Sequence, residues 1–111
     1  MVKLIAFLKR KPGMTLEQFK VRWVDEHTKI SSQLPGLRGY YININQQHQP
    51  DNGEPNYDGT AEMWWDSVEE MEASFATELG IAAGKDADEF CDMRFHLYTD
   101  EYTIVPFAGH K

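Results

Sequence analysis

Two helix-start signals divide the chain into two similar halves. Residues 15–18 (TLEQ) and 67–70 (SVEE) each place a hydroxyl residue three positions before Glu or Gln, which is the capping-box pattern of a helix N-terminus. Each signal lies between two predicted strands, and of these four strands the first is apolar on both faces and the others alternate between apolar and polar side chains. The chain therefore consists of two successive strand–helix–strand units, which restricts the fold strongly.

Turn residues between the periodic segments indicate where these elements begin and end. We predict strands at 2–9, 37–45, 57–65 and 95–105, a first helix from Thr15 to about Ser31 or Ser32, and a second helix that ends at Gly80. Residues 81–94 carry weaker signals, and Asp86 or Asp88 is a candidate start for a helical turn there. The order βαββαβ over residues 1–111 predicts one α+β domain of ferredoxin-like fold, with a four-stranded antiparallel sheet and both helices on one face.

The second face of such a sheet has no helix to cover it, yet its side chains are largely apolar. The first strand (VKLIAFLK) is apolar on both faces, and Trp64 and Trp65 point to opposite faces of the third strand. A second copy packed sheet against sheet would bury these side chains, so we predict a homodimer. The alternative is a monomer in which the exposed face forms a groove for a ligand.

Charge and cysteine content argue against some classes of protein. The 111-residue chain has 18 acidic residues against 11 Lys and Arg, a net charge of −7, which argues against binding to nucleic acid. No apolar run is long enough to cross a membrane, and the N-terminal run is too short for a signal peptide. A single cysteine, Cys91, precludes an internal disulfide and is typical of a cytoplasmic protein.

The first helix has an apolar side that includes a histidine. Its members are spaced by three or four residues, as one helical face requires, and they are Leu16, Phe19, Trp23, His27 and Ile30. The charged residues next to His27 in sequence, such as Glu26, which is spaced to pair with Arg22, belong to the outer side of the helix. Burial beside Trp23 would disfavour the imidazolium and keep His27 neutral. Such a ring can act as a general acid or base, or it can be an inert core histidine.

Three further residues have side chains suited to catalysis. Tyr40 lies in the second strand, Asp58 in the third, and His48 in the polar loop of residues 46–57. A buried Asp58 could orient a histidine and His48 could close over a pocket, although residues of both kinds are more often solvated. His96 in the last strand is interpreted as filling of the sheet. We predict no metal and no cofactor, because no metal-ligand spacing, phosphate-binding loop or dinucleotide motif is present.

The sequence resembles the EthD domain family. The resemblance rests on KRKPGMTLEQFKVRWVDEHTKI at residues 9–30 and LPGLRGYYIN at residues 34–43, and it extends to DADEFCDMRFHLYTDEYTIV at residues 86–105. The first two segments contain the family's basic turn ending in P-G, its W-x-x-x-H helix and its L-P-G-L-x-x-Y pattern. The similarity covers most of the chain and leaves out the loop at 46–57.

The resemblance implies a dimeric α/β barrel built from two ferredoxin-like protomers. Members of the family are associated with the breakdown of small organic compounds, including ethers, and with polyketide tailoring. The similar methylmuconolactone isomerases work without a cofactor, and the helix histidine and strand tyrosine that line their pocket correspond to His27 and Tyr40. Those isomerases also have a cysteine where this chain has Met63, so the chain departs from the isomerase chemistry at that position.

These observations lead to three functional hypotheses. The first is a cofactor-independent lyase or isomerase that acts on a small hydrophobic cyclic carbonyl compound, such as a polyketide-like or aromatic-degradation metabolite. In this hypothesis His27 moves a proton and Tyr40 hydrogen-bonds the carbonyl group, with Asp58 or His48 assisting. The pocket walls would be apolar and formed by Phe7, Trp23, Met63 and Trp64. The second hypothesis is a non-catalytic protein that binds a hydrophobic metabolite, and the third is a cofactor-free oxygenase.

Overall fold

A four-stranded antiparallel sheet forms the centre of the chain. The computed structural model describes residues 1–50 and 53–108. The strands are β1 (Val2–Arg10), β2 (Gly39–Ile44), β3 (Gly59–Trp65) and β4 (Cys91–Thr99). They lie in the order β2-β3-β1-β4, so the first strand of the chain is central and pairs with the last. Together with helices on one face, this arrangement confirms the predicted α+β ferredoxin-like fold.

The helices cover one face of this sheet. The first helix consists of three consecutive segments, namely α1 (Leu16–Lys20), a π-helical segment (Val21–His27) and α2 (Thr28–Ser31). Two further helices, α3 (Val68–Phe75) and α4 (Glu78–Phe90), precede β4. The predicted N-cap of the first helix is confirmed, because Thr15 Oγ1 accepts a hydrogen bond from Gln18 N at 3.0 Å. Ser67 Oγ likewise accepts one from Glu70 N at 3.1 Å at the start of α3.

The π-helical segment aligns four side chains along the first helix. Phe19, Trp23, His27 and Ser31 follow one another at intervals of four residues, and all four are buried. In an α-helix of 3.6 residues per turn, side chains at this interval would drift around the helix axis. The wider turns of the π-helical segment reduce that drift. Ser31 therefore occupies the end of the buried side, where Ile30 was predicted, and Ile30 is only partly buried.

Gly80 does not end the second helix, contrary to the prediction. The helix α3 stops at Phe75, and Thr77 then begins α4 as an N-cap whose Oγ1 accepts a hydrogen bond from Gly80 N at 3.1 Å. This cap restarts the helix shortly after the first one stops. Residues 81–90 are therefore helical, and Asp86 lies inside α4 rather than at a helix start.

The last strand begins and ends earlier than predicted. Cys91, the first residue of β4, directly follows the last residue of α4, so no loop separates them. The strand ends at Thr99, which pairs with Lys3 near the start of β1. Only Val2 of β1 remains beyond that pair, so residues 100–105 have no strand to continue along and are irregular.

The two faces of the sheet are covered unequally. The covered face consists of small and apolar residues of the central strands, namely Leu4, Ala6, Leu8, Ala61, Met63 and Trp65. The opposite face, here called the open face, has apolar side chains with no helix above them, and Phe95 of β4 is 53% exposed there. Among the residues that the structure describes, no helix is both long enough and apolar enough to cross a membrane.

Candidate functional site

A small cavity lies between the covered face of the sheet and the helices. Its volume is about 80 Å³, which is several times the roughly 10–15 Å³ that one water molecule requires. Most of the lining is apolar. The polar side chains that reach the cavity are His27, Ser31, Tyr40, Arg94 and His96. An apolar space with a few polar groups is the usual form of a small-molecule site.

The cavity exists because small residues face one another across it. On the sheet, Ala6 of β1 and Ala61 of β3 are paired neighbours in the middle of the covered face. On α4, four small residues at helical spacing line the cavity, namely Gly80, Ala83, Gly84 and Ala87, and the bulky Phe90 follows them outside the lining. Alanine and glycine on both sides leave the space between them unfilled.

His27 reaches this cavity from the π-helical segment and is held by a carboxylate from another helix. It is 7% exposed, and its Nδ1 lies 2.7 Å from Oδ2 of Asp86 in α4. An ionised carboxylate only accepts hydrogen bonds, so Nδ1 carries the proton of the neutral ring and Nε2 is the acceptor. Nε2 has no hydrogen-bond partner among the described residues, which leaves it available to a ligand.

Arg22 keeps the Asp86 carboxylate charged. Its guanidinium contacts both carboxylate oxygens, with Nη2 at 2.7 Å from Oδ1 and Nη1 at 3.1 Å from Oδ2. This contact lowers the pKa of Asp86, and the hydrogen bond with His27 lowers it further. Burial lowers the pKa of His27, although Asp86 opposes that shift. At neutral pH the pair therefore consists of a charged carboxylate and a neutral imidazole.

The predicted ion pair of Arg22 with Glu26 is present, but it is not the shortest contact that Arg22 makes. Arg22 Nε lies 3.7 Å from the Glu26 carboxylate, whereas Arg22 Nη2 lies 2.7 Å from Oδ1 of Asp86. The spacing of charges along one helix does not show which residues of other helices will contact it. Here α4 packs against the π-helical segment and brings a carboxylate to both Arg22 and His27.

Tyr40 of β2 and Ser31 of α2 form a second polar group in the cavity. Their hydroxyl oxygens are 2.8 Å apart. Burial raises the pKa of Tyr40, so its phenol stays protonated at neutral pH. Two hydroxyl groups joined by one hydrogen bond retain one further O–H, which can be donated to a ligand carbonyl.

The structure brings half of the predicted site residues to this cavity, and these are Trp23, His27, Tyr40 and Met63. Phe7 and Trp64, predicted as pocket walls, lie on the open face instead. The ring of Phe7 packs against that of Phe95 at a centroid distance of 6.1 Å, and Trp64 Nε1 donates to Glu101 Oε1 at 3.2 Å. The prediction named them as pocket walls without deciding which face the helices cover, because strand alternation separates two faces without saying which of them is covered.

Asp58 and His48 also lie away from the cavity. Asp58 is buried, but it accepts hydrogen bonds from Arg10 N at 2.8 Å and from Arg10 Nη1 at 3.0 Å. It therefore anchors the end of β1. His48 is exposed in the loop between β2 and β3. Neither residue lines the cavity, and the carboxylate that contacts His27 belongs to Asp86.

Three polar residues of the cavity, together with Asp86, which contacts His27, were not predicted as site residues. Asp86 was considered only as a helix start and Ser31 only as a helix end, while His96 was interpreted as sheet filling and Arg94 was not considered. A usable signal was present in residues 80–87, whose glycines and alanines recur at helical spacing. It indicates a helix with one side made of small residues, and such a side leaves room beside it.

The described part of the chain has neither a cluster of metal-ligating side chains nor a reactive thiol. Residues 1–50 and 53–108 contain no group of three or more His, Cys, Asp or Glu side chains arranged to hold a metal ion. Burial raises the pKa of Cys91 to about 12. Its thiol therefore remains protonated at neutral pH, whereas the thiolate is the reactive form.

Solved structures of several proteins share this fold. The cofactor-independent oxygenase SnoaB from Streptomyces nogalater has a TM-score of 0.67 at 8% identity, over 95% of this chain and 96% of that chain. A dimeric protein of unknown function with a ferredoxin-like fold, from Bacteroides fragilis NCTC 9343, has a TM-score of 0.68 at 16% identity, over 90% and 95% of the two chains. At these identities the likeness concerns the fold alone. No curated protein matches the sequence significantly.

A closer likeness is found to a protein of the ethyl tert-butyl ether D (EthD) family from Bacillus halodurans C-125. Its structure has a TM-score of 0.77 at 28% identity, over 92% of this chain and 99% of that chain. The EthD domain profile matches residues 11–94, which is well over half of the chain. The matched range includes the two capping signals at residues 15–18 and 67–70. It also includes the cavity-lining residues that lie between His27 and Arg94 in the chain. The chain therefore belongs to the EthD family.

Proposed function

We propose that this protein is a cofactor-independent enzyme that transfers a proton on a small hydrophobic carbonyl compound, as a lyase or an isomerase. The supporting observation is the contact of His27 with Asp86, which leaves the unprotonated Nε2 of a neutral ring beside an apolar cavity. A general base requires a free acceptor atom and must be unprotonated at the working pH. His27 meets both requirements.

The proposed reaction begins with removal of a proton from the carbon next to the carbonyl group. Nε2 of His27 accepts the proton, and the electron pair of the C–H bond shifts towards the carbonyl oxygen. The remaining O–H of the Ser31 and Tyr40 pair donates a hydrogen bond to that oxygen and stabilises its negative charge. The imidazolium that forms at His27 is stabilised by the charged carboxylate of Asp86 at 2.7 Å.

The proton held by His27 then determines the product. Its return to a different carbon gives an isomer, and its delivery to a departing hydroxide gives loss of water, which is a lyase reaction. Both outcomes restore the neutral ring for the next cycle. Both need only side chains that line the cavity or contact His27 directly.

The cavity favours a compact and largely apolar substrate. Trp23 and Met63 present apolar surface to it, and the paired Ala6 and Ala61 form its floor. Its volume of about 80 Å³ is well below the roughly 300–1,000 Å³ of pockets for drug-sized ligands. A small cyclic ketone or lactone fits these limits.

We further propose that the protein is a homodimer. On the open face, Met93, Phe95 and Leu97 are between 44% and 53% exposed in the single chain. An apolar patch of this kind usually marks an interface, and a two-fold contact between open faces would bury it in both copies. Fold relatives from Bacteroides fragilis and Thermobifida fusca are described as dimeric, which supports this arrangement.

Exchange of hydrogen for deuterium tests the enzymatic proposal before the substrate is known. Small cyclic ketones and lactones are incubated with the protein in D₂O, and the loss of the α-proton signal is followed by NMR. We expect exchange above the buffer rate for at least one compound and its loss in the His27→Gln variant. The matched control is His48→Gln, because that histidine is exposed and lies away from the cavity.

The assay distinguishes three outcomes. Exchange at the wild-type rate in His27→Gln would contradict the role of His27. Saturable binding without exchange of any compound would favour a non-catalytic binding protein that uses the same cavity. Oxygen uptake that accompanies loss of the α-proton would favour a cofactor-free oxygenase, in which the deprotonated substrate reacts with O₂.

A further inference from the structure

We propose that Arg94 binds a carboxylate group of the substrate, so that the compound processed at His27 is a small apolar acid. This step rests on the function proposed above and specifies its substrate class. Arg94 lies in β4 opposite Leu8 and lines the same cavity. Among the described residues of that lining, it is the one permanently charged side chain.

The guanidinium of Arg94 has N–H donors that are not used in hydrogen bonds with the described residues. A single nitrogen, Nη2, makes both of its contacts, to Oδ1 of Asp88 at 2.7 Å and to the carbonyl oxygen of Gly84 at 3.3 Å. Nε and Nη1 have no hydrogen-bond partner among the described residues. The Arg94 side chain is 27% exposed, so a ligand can reach it. A carboxylate can therefore bind this guanidinium without breaking an existing contact.

The ion pair with Asp88 is easily exchanged. The side chain of Asp88 is 69% exposed, and ion pairs with such exposed partners contribute little to stability. A substrate carboxylate can thus also compete for Nη2. Two other carboxylates lie near Arg94. That of Asp86 is held by Arg22 and His27, and that of Asp92 lines a neighbouring surface pocket with Arg94 but makes no hydrogen bond or ion pair with it.

The two polar ends of the cavity indicate how such a substrate would lie. Tyr40 belongs to β2 and Arg94 to β4, which are the two edge strands of the sheet, with apolar residues of β3 and β1 between them. A ligand that spans them has its carbonyl group near Tyr40 and its carboxylate near Arg94. Arg94 also acts electrostatically on His27, since its charge adds to the effect of burial in keeping that ring neutral.

A matched pair of probes tests this inference. 4-Oxocyclohexanecarboxylate and 4-oxocyclohexanecarboxamide have nearly the same shape and differ in charge, and their binding is followed by NMR titration of ¹⁵N-labelled protein at neutral pH. We expect the acid to bind roughly three- to tenfold more tightly than the amide and the preference to disappear in Arg94→Gln. Asp88→Asn should strengthen binding of the acid, because it frees Nη2. Lys85→Gln removes an exposed charge of α4 that does not line the cavity and should keep the preference.

Equal affinity for the two probes, no saturable binding of the acid, or a preference that survives in Arg94→Gln would overturn the inference. Should Arg94→Gln lose its fold by circular dichroism, Arg94→Lys replaces it, and we expect a reduced but measurable preference. Exchange of α-protons is measured in a separate experiment from binding of the probes. Exchange that needs His27 but is equal for both probes would reject the role of Arg94 alone, and Arg94-dependent binding without exchange would reject the enzymatic proposal alone.

Discussion

Oδ2 of Asp86 lies 2.7 Å from Nδ1 of His27, although the two residues belong to different helices and are 59 positions apart in the chain. The same carboxylate accepts hydrogen bonds from Arg22. The contact assigns the ring proton of His27 to Nδ1 and leaves Nε2 as the acceptor in the cavity. It also places a negative charge where the positive charge of the imidazolium would develop.

Replacement of Asp86 by asparagine should impair proton transfer by His27. In Asp86→Asn the side-chain amide can donate to Nδ1, which moves the ring proton to Nε2 and turns that atom into a donor. We expect the rate of α-proton exchange to fall about 10- to 100-fold. The pKa of His27 should also fall further, because Asp86 opposes the effect of burial. Exchange kinetics and the ¹⁵N shifts of His27 check both effects.

The matched control for that variant is Glu89→Gln. Glu89 contacts Arg22 as well, with Oε1 at 3.3 Å from Nη2, but it makes no contact with His27. Wild-type exchange and unchanged His27 signals are expected in this protein. An Asp86→Asn protein that retains the wild-type tautomer and the wild-type rate would show that Asp86 does not position the ring.

Two glycines of α4 should respond in opposite directions to alanine. A Cβ at Gly84 meets nothing within 4 Å, so Gly84→Ala should stabilise the protein by about 0.5–1 kcal/mol through the lower backbone entropy of the unfolded chain. A Cβ at Gly80 would collide with the backbone of Phe75, so Gly80→Ala should destabilise it by about 1–3 kcal/mol. Urea denaturation measures both free energies of unfolding. A destabilising Gly84→Ala would refute the described packing of α4.

Asp58 should matter for stability and not for the state of His27. Asp58→Asn weakens two hydrogen bonds from Arg10 to a buried acceptor, and we expect a loss of about 1–3 kcal/mol in the free energy of unfolding. Glu54→Gln removes the other, exposed partner of Arg10 and should cost less than about 1 kcal/mol. A change of the His27 tautomer in Asp58→Asn would revive the predicted role of Asp58 in orienting the histidine.

A charge on the open face should prevent dimerisation. Phe95→Asp places a carboxylate at a side chain that is 53% exposed in the single chain and that would be buried between two sheets. Light scattering should report about twice the 12.8 kDa chain mass for the wild type and the single-chain mass for this variant. Val24→Asp, on the outer side of the first helix, should remain dimeric. A monomeric wild type would instead favour the alternative in which the open face binds a ligand.

Features that depend on neighbours in sequence were predictable. The cap at Thr15 joins residues three positions apart, so its pattern alone identified the start of the first helix. Alternation along β3 correctly placed Trp64 and Trp65 on opposite faces. The second half was harder, because Gly80 is as compatible with a helix end as with the first turn of α4, and the sequence pattern does not decide between them.

The site itself depends on contacts between elements, and these were only partly predictable. His27 was expected on the inner side of its helix because helical spacing determines sides. The same spacing says nothing of Asp86, which meets His27 only because α4 packs beside the π-helical segment. The sequence pattern did not predict the π-helical turns either. These turns are the reason that Ser31 rather than Ile30 lies beside Tyr40.

The titration of His27 also links the site to stability. Its pKa in the folded protein is lowered from 6.5, mainly by burial. As the pH falls, the unfolded chain therefore takes up a proton at this position before the folded protein does. The contribution of a neutral His27 to stability is complete above pH 6.5 and is lost as the pH falls through the folded-state pKa. Activity that needs His27 as a base should be lost over the same range.

The most direct test is ¹⁵N NMR of the His27 ring as a function of pH. We expect a neutral ring at neutral pH, with the proton on Nδ1, an unprotonated Nε2, and a pKa below 6.5. A ring that is already protonated at neutral pH, or one that carries its proton on Nε2, would contradict the assignment of His27 as the base of this site.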